Sequence, residues 1–101
     1  MEKEAILRIL RENLIEMREK YGVKKIGIFG SAVRGDMDKE SDIDIIVEFF
    51  PDRISYKTFG GLANFLEKIL NKKVDILTTT GLQHIRYKTV KESIKKDIEF
   101  V

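Results

Sequence analysis

Cysteine and tryptophan are absent from this 101-residue chain, and histidine and proline occur once each, as His84 and Pro51. Without cysteine there is no disulfide and no thiolate zinc site, and a single histidine excludes a multi-histidine metal centre. Any bound metal must therefore be held by oxygen. No run of about 18 apolar residues is present to span a bilayer. The N-terminal MEKEAILRILREN breaks its apolar residues with charges from the start and offers no signal-peptide core. A cytoplasmic protein with no membrane partner is the simplest expectation. An excess of charge is lacking too: 19 Lys+Arg face 17 Asp+Glu for a net +2. Nucleic acid is accordingly not expected as a direct partner.

The remaining composition, 43% hydrophobic and 36% charged, is that of a small soluble domain. A chain this short buries only about 60–70% of its unfolded surface, so we expect one domain over residues 1–101 around one core. There is no space for a separate recognition domain, and a large acceptor must come from a partner.

Hydrophobic spacing supplies the elements. Ile6, Leu10, Leu14, Met17 and Tyr21 step by three or four, with Leu7, Ile9 and Ile15 broadening the stripe, and predict a helix from Glu2 to Tyr21 stopped by Gly22. Lys24 to Gly30 reads as a short buried strand, and Ser41 to Phe49 as a second. Pro51 and Asp52 end the latter. Phe59, Leu62, Ala63, Leu66, Ile69 and Leu70 predict a helix ended by Asn71 and Lys72, then a strand at Val74 to Thr78. A last helix is expected from Leu82 to Lys96 with Leu82, Ile85, Val90 and Ile94 inward, then an edge strand at Ile98 to Val101. The order α-β-β-α-β-α gives an α/β fold, a small sheet flanked by helices.

Chemistry concentrates in Gly27-Ile28-Phe29-Gly30-Ser31-Ala32-Val33-Arg34-Gly35-Asp36 and in Ser41-Asp42-Ile43-Asp44. Gly30-Ser31, after a strand and before a turn, can present N–H groups and a hydroxyl to phosphate oxygens. The same pair also serves as an ordinary turn and helix cap. Asp42 and Asp44, two apart on a strand, project from one face with Cα atoms about 6.5–7 Å apart. Carboxylates about 5 Å apart repel by roughly 3 kcal/mol at an effective dielectric near 20, a cost a shared Mg²⁺ or Mn²⁺ removes. A polar strand face turned to water explains them equally well.

The joint spacing is more specific than either half: Gly-Ser, ten residues, then Asp-x-Asp occurs in roughly one in a thousand shuffles of this composition. Together with the later KKVDILT segment it resembles the minimal nucleotidyltransferases of the polymerase-beta superfamily, over about Tyr21 to Val101. The resemblance is strongest to the MntA-like antitoxins encoded with HEPN-domain toxins. It implies a polymerase-beta-like nucleotidyltransferase fold and transfer of AMP from ATP to a tyrosine hydroxyl of the cognate HEPN toxin, in an assembly with that toxin. Gly30 and Ser31 would hold the nucleotide, Arg34 would meet phosphate, and Asp42, Asp44 and Asp75 would be the catalytic carboxylates ligating two Mg²⁺ ions. A binding-only antitoxin, or a transferase acting on a small molecule or RNA end, is the alternative.

Other residues divide between site and surface. Asp75 alternates with Val74 and Ile76, which points it away from them on a strand. Arg34 fits a phosphate or a surface ion pair with Asp36 or Asp38. Ala32 stands where members of the resembled family often carry a further Arg, leaving fewer positive groups for phosphate. Lys24, Lys25, Arg86, Lys88, Lys91, Lys95 and Lys96 suit a solvated face or a docking surface. His84 reads as a helix-surface residue, and Ile9, Phe50 and Phe100 are surplus apolar positions for a partner to cover.

Overall fold

Ile43, Ile45, Ile46 and Val47 are fully buried, so the strand that carries them forms the spine of the fold. The structure is a computed structural model and describes residues 1–101. In chain order the elements are α1 (Lys3–Glu12), α2 (Leu14–Tyr21), β1 (Val23–Phe29), α3 (Ser31–Arg34), β2 (Ile43–Phe49), a 3₁₀ turn (Pro51–Arg53), α4 (Tyr56–Leu70), β3 (Val74–Thr78), α5 (Thr79–Gln83), α6 (Lys88–Asp97) and β4 (Glu99–Phe100). One four-stranded mixed sheet runs β3-β2-β1-β4. β1 lies antiparallel to both β2 and β4, and β3 is parallel to β2.

Alternation along the strands divides the sheet into two faces. Ile26, Ile28, Ile45 and Val47 pack with Ile6 and Leu10 of α1, Met17 of α2 and Leu62, Leu66 and Leu70 of α4 in one cluster. Each such side chain contributes about 1.5–3 kcal/mol through removal from water. Ile46 and Leu82 are buried outside that cluster, and α5 packs against β2 and β3. The second face is the more thinly covered, because α6 buries none of its residues.

Local chemistry sets the element boundaries. Ser55 caps α4 by accepting from the Thr58 N–H at 3.1 Å, while the Ser55 N–H donates back to Thr58 Oγ1 at 3.0 Å. Asn71 closes that helix in the left-handed region at φ 52°. The helix expected from Glu2 to Tyr21 is in fact two. Asn13 Nδ2 donates to the Ile9 carbonyl at 2.8 Å, and this side-chain bond competes with the helical ladder at the break between α1 and α2. Beyond the break the stripe turns: Met17 stays buried, but Ile15 is 70% exposed rather than inward.

The last helix is likewise divided, with residues 84–87 outside helix between α5 and α6. Leu82 is buried as expected, but Val90 is 48% exposed, on a helix α6 that packs on β1 without burying any of its own residues. The edge strand shortens to Glu99–Phe100, with the Val101 N–H donating to the Ile26 carbonyl at 3.0 Å. No helix is long and apolar enough to cross a membrane.

Candidate active site

β1 ends at Phe29, whose register partner on β2 is Asp44, so the turn that follows β1 lies beside the start of β2. Gly30 makes that turn at φ 69°, ψ −143°, a region closed to side-chain-bearing residues. A Cβ at this position would also overlap Asp44 Oδ2. Glycine is thus required twice, by the backbone and by the carboxylate against it. Ser31 then begins α3, whose first N–H groups have no partner within the helix.

Asp44 is half-buried on the thinly covered face, two residues before Ile46. β3 lies parallel to β2 with Ile43 opposite Val74 and Asp44 opposite Asp75, which brings the third predicted aspartate to the same end of the sheet. Asp42 falls one residue before β2 begins, not on the strand as its spacing suggested, and is partly buried there. Burial raises the Asp44 carboxyl above the usual aspartate range, and the negative charges of Asp75 and Asp42 raise it further, against an opposing effect of Arg34. None of the three aspartates takes part in an ion pair.

The donor set of Asp42, Asp44 and Asp75 fits a hard divalent cation, being all oxygen and carrying negative charge that no protein group pairs. The carboxylates are not drawn into a closed cluster of three or more ligands.

The loop from α3 to β2, which delivers Asp42, is tied internally. Asp38 Oδ1 accepts from the Glu40 N–H at 2.8 Å and from Ser41 Oγ at 3.0 Å, while Ser41 Oγ accepts from the Asp38 N–H at 3.1 Å. These bonds to the charged form hold the Asp38 carboxyl below its usual range. Lys72, just past α4, donates to the Asp38 and Lys39 carbonyls at 3.4 and 3.2 Å.

Arg34 lies close enough for its charge to act on Asp44. Its guanidinium is engaged by protein carboxylates: Nε donates to Asp36 at 3.2 Å and Nη1 to Asp97 at 2.8 Å. Asp36 was foreseeable as a partner, but Asp38 is not one, and Asp97 carried no sequence signal because it is distant in the chain. Ala32, at 2% exposed, is part of the core cluster. A cavity of about 550 Å³ opens beside Ser31 and is lined also by Met1, Lys3, Val33 and Met37; the three aspartates lie outside it. His84 is exposed, with Nδ1 2.8 Å from the Thr80 carbonyl. Of the surplus apolar residues, Ile9 packs against the core, Phe50 is partly exposed, and Phe100 lies 4.0 Å beneath the Lys25 ammonium.

Comparison with known proteins identifies the family and agrees with the fold. A model of the nucleotidyltransferase domain matches residues 9–101. The chain is similar to the protein adenylyltransferase MntA of Thermococcus cleftensis, 40% identical over 87 residues that cover 86% of this chain and 87% of the relative. It superposes on a solved structure described as a minimal nucleotidyltransferase with a TM-score of 0.72 at 26% identity, covering 98% of this chain and 95% of the other. It shares its fold, at a TM-score of 0.61 and 23% identity, with a chain of a toxin–antitoxin crystal structure containing AMP-PNP, covering 99% of this chain and 72% of that one. With a family model spanning nearly its whole length and a glycine turn set against paired aspartates, the chain belongs to the nucleotidyltransferase domain family.

Proposed function

We propose that this protein is a Mg²⁺-dependent protein adenylyltransferase that moves AMP from ATP to a tyrosine hydroxyl of a cognate HEPN-domain toxin in the cytoplasm, and thereby acts as its antitoxin. The observation that carries the reading is the packing of the Gly30 turn against Asp44, with Asp75 alongside on β3. A phosphate-binding turn and a carboxylate group at one end of a sheet are the two parts that nucleotidyl transfer needs.

On this reading each site residue has a role. The N–H groups that open α3 and the Ser31 hydroxyl hold the triphosphate, and Arg34 adds positive charge. Asp42, Asp44 and Asp75 would hold the metal, which when bound neutralises phosphate charge and favours ionisation of the attacking hydroxyl. The acceptor oxygen bonds to the α-phosphorus as the bond to the bridging oxygen of pyrophosphate breaks, and pyrophosphate leaves. Asp75, the exposed member of the acidic group, would serve either as one of these ligands or as the base that takes the hydroxyl proton. The partner protein would supply the remaining acceptor surface.

The test is to mix the full chain with the protein encoded beside it and Mg-ATP, then to weigh that protein by mass spectrometry. Added AMP units on tyrosine, lost with Asp42→Asn, are expected. No added mass, with toxin inhibition surviving Asp42→Asn, would replace the reading by a binding-only antitoxin. Product formed without protein acceptor would redirect it to a small molecule or RNA end.

A further inference from the structure

The two acidic partners of Arg34 are unlike. Asp36 sits two residues away, and its side chain is 60% exposed. Asp97 comes from the other end of the chain, closes α6, and has a side chain only 16% exposed, with Oδ2 2.8 Å from Arg34 Nη1. Directly after Asp97 the chain enters β4, whose Glu99 and Phe100 pair with Ile28 and Gly27 of β1. The position of Asp97 is therefore set by the same strand that leads into Gly30 and Ser31. Asp36 takes Nε and Asp97 takes Nη1, and neither takes Nη2.

We propose that Asp97 is a positioning residue for nucleotide binding: it fixes the Arg34 guanidinium in one orientation and leaves the Nη2 donors for the phosphate oxygens. This rests on the nucleotidyltransferase reading of the site. An Arg side chain has several flexible torsions, and a guanidinium immobilised before the ligand arrives loses less freedom on binding. Asp97 makes the shorter bond, is the better shielded from water, and is anchored through β4, whereas Asp36 is an exposed residue only two positions from Arg34. The contact joins the C-terminal end of α6, which buries no residue of its own, to the nucleotide site.

Isothermal titration of Mg²⁺ and AMP-PNP into the full-length chain separates this role from simple anchoring of α6. Wild type, Asp97→Ala, Asp97→Asn, Arg34→Ala and the double variant Arg34→Ala/Asp97→Ala are compared, each with its thermal unfolding midpoint. Asp97→Ala and Asp97→Asn are expected to weaken binding by about three- to tenfold, the range of one side chain's ordering. Adding Asp97→Ala to Arg34→Ala is expected to change nothing further. Equal weakening by Asp97→Ala with and without Arg34 would overturn the proposal, since it would mean that Asp97 acts only through stability. Unchanged or tighter binding in both single variants overturns it too, the second because Asp97 would then be competing with phosphate for Arg34. If Asp97→Ala unfolds, the isosteric Asp97→Asn decides the matter. Absence of binding by the wild-type chain overturns the nucleotide reading and this role together, whereas wild-type binding with an unaffected Asp97→Asn removes the role alone.

Discussion

Asp44 on β2 and Asp75 on β3 are register partners across a parallel strand pair, and the charge of Asp75 is one cause of the raised Asp44 carboxyl. Like charges held together in a half-buried position are unfavourable for folding in themselves. Removal of one charge should therefore separate the cost of the pair to stability from its proposed role in catalysis.

Asp44→Asn is expected to lower the rate of AMP transfer by about 10³-fold, as loss of a charge-stabilising site group does. The same change relieves both burial of a charge and repulsion by Asp75 and Asp42, so the thermal midpoint should hold or rise. Adduct formation followed by mass spectrometry and a thermal melt of the same sample check both halves.

The pH dependence of the same residue has a defined sign. Because the folded-state value of Asp44 is raised, the folded chain binds its proton more readily than the unfolded chain does. Its unfavourable contribution is absent below the ordinary aspartate value of about 3.9 and grows as pH rises through the raised folded-state value. The stability advantage of Asp44→Asn over wild type, measured by urea denaturation without metal, should accordingly open with rising pH. Saturating Mg²⁺ should narrow it.

Gly30→Ala places a side chain in the left-handed region and against Asp44 Oδ2. A loss of about 1–3 kcal/mol in unfolding free energy is expected from the backbone strain alone. Nucleotide binding should be lost even below the unfolding transition, because Gly30 and Asp44 cannot keep their present separation. Titration with AMP-PNP beside a denaturant curve checks this.

Asp38→Ala removes the bonds that close the α3–β2 loop on Ser41 and Glu40. Asp42 is then less firmly placed, and a fall of about two- to tenfold in kcat/KM for ATP is expected from the looser geometry. Faster amide exchange across residues 36–42, with β2 unchanged, is the accompanying signature.

Much of the site was legible because its rules are local. The strand between Gly22 and Gly30, the strand Val74–Thr78 and the stop at Asn71 lie at or within a residue of their sequence positions. Gly30, Ser31 and Asp44 were singled out by the joint spacing of a glycine–serine pair and two acids, and the structure brings Gly30 against Asp44. The breaks at Asn13 and at residues 84–87 were not legible. An Asn side chain competes with a helical ladder only when packing leaves room for it. Val90 has helical spacing and apolar chemistry, yet is exposed, because spacing does not say how closely a helix meets the sheet, and α6 buries none of its residues.

The sequence by itself determined which residues are available for the chemistry: side-chain oxygens with no cysteine and a single histidine, a glycine–serine turn, and two aspartates two positions apart. The tertiary structure decided which of them meet. Placing Asp75 beside Asp44 requires the register of β3 on β2, and placing Asp97 on Arg34 requires β4 to pair with β1. Such registers are set by side-chain packing across the whole sheet, since a shift of one residue would turn every buried isoleucine of β2 toward the wrong face.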